Sequence, residues 1–262
     1  DGGADVHGTT LRGQTALMLC AASQAKGAME TLKFLLEAQA QMDAKDELGW
    51  TPLLHACRNG QRQTSALLLE KAASLGARAE DGKTAVMLAT LDGCDGLVLD
   101  LLGHKVHVNE VDRHGYSTLA FACEEGHRSL VKTLLRWHAD PSRPSKDKTT
   151  PLMLLANRGD TEIGELLLKR KARLNSRNSK GDSALLVSLK ARKEDFALWL
   201  IDARADVLVV NKAQEDARAL ADVPELTSVR NQVDMKLRSV HGDGRPSIAE
   251  RMTEFGYGFD LA

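Results

Sequence analysis

Aromatic residues are scarce in this 262-residue chain: Phe, Trp and Tyr together make up 4% of it. A core must therefore be built mainly from Leu, Ala, Val and Met. Cysteine occurs four times and never as CxxC. A disulfide framework does not suit so long a domain, and the thiols point to a reducing compartment, cytoplasm or nucleus. No apolar run approaches the roughly 18–20 residues that span a bilayer. Excess charge is absent too, with 35 Lys/Arg against 36 Asp/Glu, which argues against a polyanion as the main partner. No signal peptide is visible. The chain starts at Asp1 without an initiator methionine, so it reads as cut or processed, and a targeting segment to an organelle could have been removed.

Catalytic signatures are equally thin. No GxSxG, P-loop or HExxH pattern occurs. His104 and His107 have no carboxylate or Cys at a spacing that would complete a metal site. His55 sits in an apolar column and reads as a packed core histidine. No cofactor, no metal and no catalytic residue are expected.

What is present is a period. Gly49, Gly82, Gly115, Lys148, Gly181 and Gln214 follow one another at steps of 33 residues. Thr51, Thr84, Ser117, Thr150, Ser183 and Asp216 keep the same step, as do the pairs Leu68-Leu69, Leu101-Leu102, Leu134-Leu135 and Leu167-Leu168. Gly13 and Thr15 open an earlier copy 36 residues before Gly49. A fixed step of this kind marks a repeat architecture. Each copy reads as a helix pair. Thr51 or Ser117 can cap a helix, and Pro52 and Pro151 occupy the first helical turn, where a missing N–H costs nothing. Gly60, Gly93, Gly126 and Gly159 stop that helix. Leu130, Val131, Leu134 and Leu135 carry the apolar stripe of a second one.

The stretches "GWTPLLHACRNG", "GYSTLAFACEEGH" and "GGADV" resemble the ankyrin-repeat family over about residues 1 to 240. The resemblance implies an all-α solenoid of stacked helix–turn–helix units with β-hairpin fingers, binding other proteins. On this register residues 1–9 end a preceding repeat, 10–210 hold six repeats, and 211–240 form a degenerate cap. In the cap Asp216 replaces Thr and Arg218 replaces the buried Leu. Asp222, Pro224 and Glu225 read as a helix start with a capping pair. Residues 241–262 form a tail with a short helix and three aromatics, Phe255, Tyr257 and Phe259. These either fold back on the last repeat or anchor in a partner.

Two features depart from the family pattern. The column where it places His reads Met18, Leu54, Met87, Ala120, Met153 and Leu186, which is either altered inner-helix packing or an apolar concave surface. The turn after the outer helix, normally Gly, holds Gln39, Ala72, Lys105, His138, Lys171 and Arg204. Four of these form a basic row.

The resemblance places partner contacts on the fingers and inner-helix tips. The fingers carry Trp50, Lys83, Tyr116, Thr149 and Asp182. The tips carry Arg58, Asn59, Leu91, Asp92, Glu124, Glu125, Asn157 and Arg158. Aromatic and Arg side chains dominate interfaces, which favours Trp50, Tyr116, Arg58 and Arg158. Charge adds a second surface. Residues 128–193 hold 16 Lys/Arg against 6 Asp/Glu, whereas residues 1–127 hold 11 against 17. Lys146, Lys148, Lys169, Arg170, Lys171, Arg173 and Arg177 define a basic band that suits an acidic protein segment. No groove-reading motif supports nucleic acid, and homo-oligomers are not expected. The reading is a non-catalytic scaffold or adaptor. The alternatives are an accessory subunit of a large complex, anchored by the tail, and a regulatory portion cut from an enzyme.

Overall fold

The computed structural model describes residues 5–104 and 106–241. They fall into two compact units, Asp1–Arg173 and Leu174–Ala262. The first unit holds α1 (Ala16–Ala22), α2 (Ala28–Glu37), α3 (Pro52–Arg58), α4 (Arg62–Glu70), α5 (Ala85–Leu91), α6 (Asp95–Gly103), α7 (Thr118–Glu125), α8 (Arg128–Arg136), α9 (Pro151–Arg158) and α10 (Thr161–Lys169). Odd-numbered helices stack on one another in an inner layer, and α4, α6, α8 and α10 stack in an outer layer.

Each inner helix starts where the sequence places it. Thr51 Oγ1 accepts from the Leu54 N–H at 3.4 Å, and Ser117 Oγ from the Ala120 N–H at 3.2 Å. These bonds satisfy a backbone donor that the helix leaves free. Thr150 is the exception, because its hydroxyl is buried with no protein partner. The stops are glycines in the left-handed region, Gly60 at φ 65° and Gly126 at φ 76° among them. A Cβ at Gly126 would also stand 2.4 Å from Arg158 Nη2 and push that exposed side chain aside.

The apolar columns close the core. Leu68, Leu101, Leu134 and Leu167 have no exposed surface. The column of Met18, Leu54, Met87, Ala120 and Met153 is buried as well. It belongs to inner-helix packing and is no apolar concave surface. After the outer helices the turn keeps positive φ without glycine, at Gln39 (60°), Ala72 (68°), His138 (62°) and Lys171 (64°). Lys105, of the same column, lies outside the described residues.

The loops between helix pairs differ from the expected β-hairpins. Among the described residues no strand forms, and the bridges Thr9–Thr15 and Val111–Ser117 are isolated. Five residues per finger are too few for a ladder, so side chains hold the turn. Asp46 Oδ1 accepts from the Leu48 and Trp50 N–H groups at 3.0 and 2.8 Å. Asp112 Oδ1 does the same for His114 and Tyr116. Successive fingers are joined by one backbone bond each: Glu47 N to Arg12 O, Glu80 N to Leu48 O, Arg113 N to Asp81 O and Lys146 N to His114 O.

The second unit contains α11 (Ala184–Lys190), α12 (Glu194–Asp202), α13 (Ala217–Leu220), a 3₁₀ turn (Pro224–Leu226) and α14 (Thr227–His241). Its inner helix α13 is one turn long. Asp216 still caps it, accepting from the Ala219 N–H at 2.8 Å. Arg218, where a buried Leu would stand, turns out to Asp234 at 2.9 Å. α14 buries Val229 and Val233 and packs on α12 and α13. Asp222 does not cap the turn at Pro224. Arg230, in the first turn of α14, captures its carboxylate instead. The helix and the aromatics of the tail, Phe255, Tyr257 and Phe259, lie outside the described residues.

Candidate partner-binding surface

Two rows of side chains face outward along the first unit: the finger bases and the inner-helix tips. The finger-base row, Trp50, Lys83, Tyr116 and Thr149, is half-buried. The Trp50 ring lies 5.2 Å from the His55 ring, and the Tyr116 ring 5.9 Å from Phe121. Lys83, between them in the period, puts its ammonium 5.6 Å from the Phe121 centroid and pairs with Asp81. Burial alone would raise the Asp81 carboxyl. The Lys83 ammonium outweighs it and holds that group below its usual range. A groove of about 580 Å³ is lined by residues of three successive fingers, Glu47, Arg78, Glu80, Asp112 and Arg113 among them.

The tip row is the more open of the two. Asn59, Asp92, Glu124, Glu125, Asn157 and Arg158 are exposed, and Arg58 and Leu91 are half-exposed. Contacts from one repeat to the next order them. Arg58 Nη1 meets Asp92 Oδ1 at 3.1 Å, and Arg158 Nη1 donates to the Glu124 carbonyl at 3.1 Å. His127 lies over Gly93, one repeat back, with Nε2 3.5 Å from the Leu91 carbonyl. Partial burial and then Glu125 raise the Glu124 carboxyl, with Lys83 opposing. Exposed ion pairs of this kind contribute ~0.2–1 kcal/mol each. They orient the row more than they stabilise the fold.

The basic band divides among different contacts. Lys146 and Lys148 are exposed on one finger, and Lys148 holds positive φ at 64°. Lys169, Arg170, Lys171 and Arg173 are exposed at the end of α10. Lys169 pairs with Glu165 at 3.3 Å. Arg177 is exposed in the second unit.

Among the described residues no group of three His, Cys, Asp or Glu is placed to hold a metal. Cys57 and Cys123 are buried, and burial pushes the Cys57 thiol up to about 12. Such a thiol stays protonated and is a poor nucleophile.

Two polar clusters escaped sequence reasoning. His55 Nε2 lies 2.8 Å from Asp46 Oδ2, both largely buried. In the second unit Asp182, 3% exposed, accepts from Lys190 Nζ at 2.8 Å and Asn211 Nδ2 at 2.7 Å. A signal existed for both. Asp46, Asp112, Asn178 and Asn211 recur in the 33-residue period at the first finger position, where an Asx side chain can bond its own backbone two residues on.

Helix pairs capped by Thr or Ser, stopped at glycine and joined through short fingers define a repeat protein of the helical solenoid class. A model of ankyrin repeats, in three copies, matches residues 2–79, 72–145 and 119–211. The chain belongs to the ankyrin-repeat family, whose repeats are general protein-interaction modules and typically non-catalytic. It is 36% identical over 155 residues to the neurogenic locus notch homolog protein 1 of Cricetulus griseus. The match to the human protein of that name is 35% over the same length. Each match covers 58% of this chain and 6% of the relative. Ankyrin repeat and KH domain-containing protein mask-1 of Caenorhabditis elegans is 28% identical over 140 residues, covering 53% of this chain and 5% of that protein. The chain thus spans a small fraction of the length of the relatives it matches. Among the described residues no helix is long and apolar enough to cross a membrane.

Proposed function

We propose that this chain is a non-catalytic scaffold or adaptor that takes partner proteins on the finger bases and inner-helix tips. The observation that carries the reading is the ordered tip row, Arg58 to Arg158. Its side chains are solvent-facing, yet held in register by contacts between repeats. Pre-ordering lowers the entropic cost of binding. Trp50 and Tyr116, each backed by a ring on the inner helix, are the aromatic anchors at its flank. The basic band adds long-range attraction for an acidic partner segment. Four free cysteines support a reducing compartment.

The test is a partner captured by the full chain and then titrated against Arg58→Ala combined with Arg158→Ala. Binding should weaken by about tenfold or more, since interfacial Arg truncations commonly cost over 1 kcal/mol each. Unchanged affinity in a folded double variant would sink the reading.

A further inference from the structure

The C-terminal ends of α8 and α10 form one surface within the first unit. Arg170 Nη1 donates to the Leu135 carbonyl at 3.0 Å, and the Arg173 N–H donates to Ser142 Oγ at 2.8 Å. These bonds fix the chain after α10 against the chain after α8. Arg136, Trp137 and Lys171 stand exposed on it. Trp137 is 43% exposed and is the one large apolar side chain so placed between α8 and α10. The 33-residue period puts Lys71, His104 and Arg170 at the equivalent positions. Packing at this site therefore calls for no aromatic. The backbone of Trp137 closes α8 by bonding the Thr133 carbonyl. Its ring has no ring or cation partner among the described residues.

The cations around it exceed what the helix ends require. A basic residue at a helix C-terminus compensates the free carbonyls and the dipole, and Arg170 does so. Lys132, Arg136, Lys171 and Arg173 make no ion pair among the described residues. The carboxylates of α10 are already engaged, Glu165 by Lys169 and Glu162 by Arg128, and Asp140, in the loop after α8, accepts from the Ser142 N–H and leaves these four cations in excess. The surface therefore combines unneutralised positive charge with an unburied indole. A lone aromatic with no second exposed apolar neighbour gives a lipid surface little to hold, whereas a Trp flanked by Arg is a usual hot-spot pattern for protein.

We propose that this helix-end surface docks an acidic peptide segment carrying one apolar or aromatic side chain. That side chain lies against Trp137, and the flanking carboxylates meet Arg136, Lys171 and Arg173. The proposal rests on the basic band acting as an acidic-segment site, and adds to it the anchor and the kind of peptide. The experiment uses the full chain and a labelled Glu-rich synthetic peptide with a central Phe, its Phe→Ser version, and phosphatidylserine-containing vesicles. The Phe peptide should bind. Its affinity should fall by roughly tenfold with Trp137→Ala or with the Ser peptide, and Trp137→Phe should keep most of it. Reversing Lys169, Arg170 and Lys171 to Glu should weaken binding and flatten its salt dependence. If the triple reversal weakens binding while Trp137→Ala and the Ser peptide do not, the anchor is overturned and the band stands. If the triple reversal has no effect, the band falls and the proposal with it. Absence of peptide binding, or vesicle binding that depends on Trp137 in its place, also overturns the proposal.

Discussion

His55 Nε2 lies 2.8 Å from Asp46 Oδ2, joining the inner helix of one repeat to the finger that precedes it. A carboxylate only accepts, so the ring proton must sit on Nε2. Trp50 covers the pair from the outside. The equivalent position two repeats on is Phe121, which offers Asp112 no hydrogen-bond partner on the inner helix. Asp46→Ala should therefore cost more than Asp112→Ala. Both lose two part-buried bonds to backbone N–H groups, at about 1–3 kcal/mol. Asp46→Ala loses the bond to His55 as well, and should cost ~1–2 kcal/mol more. Urea denaturation of the two variants decides it, and equal losses would mean that the His55 bond contributes nothing net.

Leu134 marks how well the period alone locates the core. It follows Leu101 and precedes Leu167 at the 33-residue step, and all three are fully buried. Leu134→Ala should lower stability by ~2–5 kcal/mol. A loss below about 0.5 kcal/mol, the range of surface changes, would place it outside the core.

The repeat, its caps and its stops were legible because each depends on local chemistry: a hydroxyl before a helix, a proline at its first turn, a glycine after it. The finger interior was not. Asp46 and Asn211 carry the periodic Asx signal, but their partners carry none: His55 meets Asp46 from nine residues on, Asp182 meets Asn211 from the preceding finger, and neither spacing marks a pairing. The depth of the Met87 column was likewise undecided, because the same apolar letters serve an inner contact or an exposed face. Trp137 was overlooked because it adjoins the basic turn column without belonging to it.

The turn after the outer helix offers a route to higher stability. Ala72 holds φ at 68°, a region that costs an L residue roughly 1–2 kcal/mol, whereas glycine enters it freely. Glycine loses more chain entropy on folding, about 0.4–1 kcal/mol. Ala72→Gly should thus stabilise by ~0.5–1 kcal/mol, read as a rise in urea midpoint at unchanged slope. Gly126→Ala should do the reverse. It meets the same φ penalty, at 76°, and displaces Arg158 from the turn as well. A destabilised Ala72→Gly would show that the turn is set by its side chain.

The second unit should carry its own pH dependence. Burial pushes the Asp182 carboxyl upward, but the bonds from Lys190 and Asn211 outweigh it, and its folded pKa is lowered. Such a group stabilises the fold above its unfolded value, about 3.9, and that stability is lost as pH falls through the folded pKa. Lys190 shows the opposite sign. Burial lowers it, while Asp182 and Glu215, at 2.8 and 2.9 Å, raise it further. Its contribution is present below about 10.4 and is lost as pH rises through the raised value. The network should therefore give a plateau across neutral pH with falls at both ends. Asp182→Asn removes the titrating carboxylate, so the variant should be less stable at pH 7. Relative to the parent it should begin to recover below about pH 4, near the unfolded value, and recover fully only once pH falls through the lowered folded pKa of the parent's Asp182. Denaturant melts of parent and variant at acidic and neutral pH measure the difference. If the gap between them stays constant across that range, Asp182 is not the acid-sensitive group.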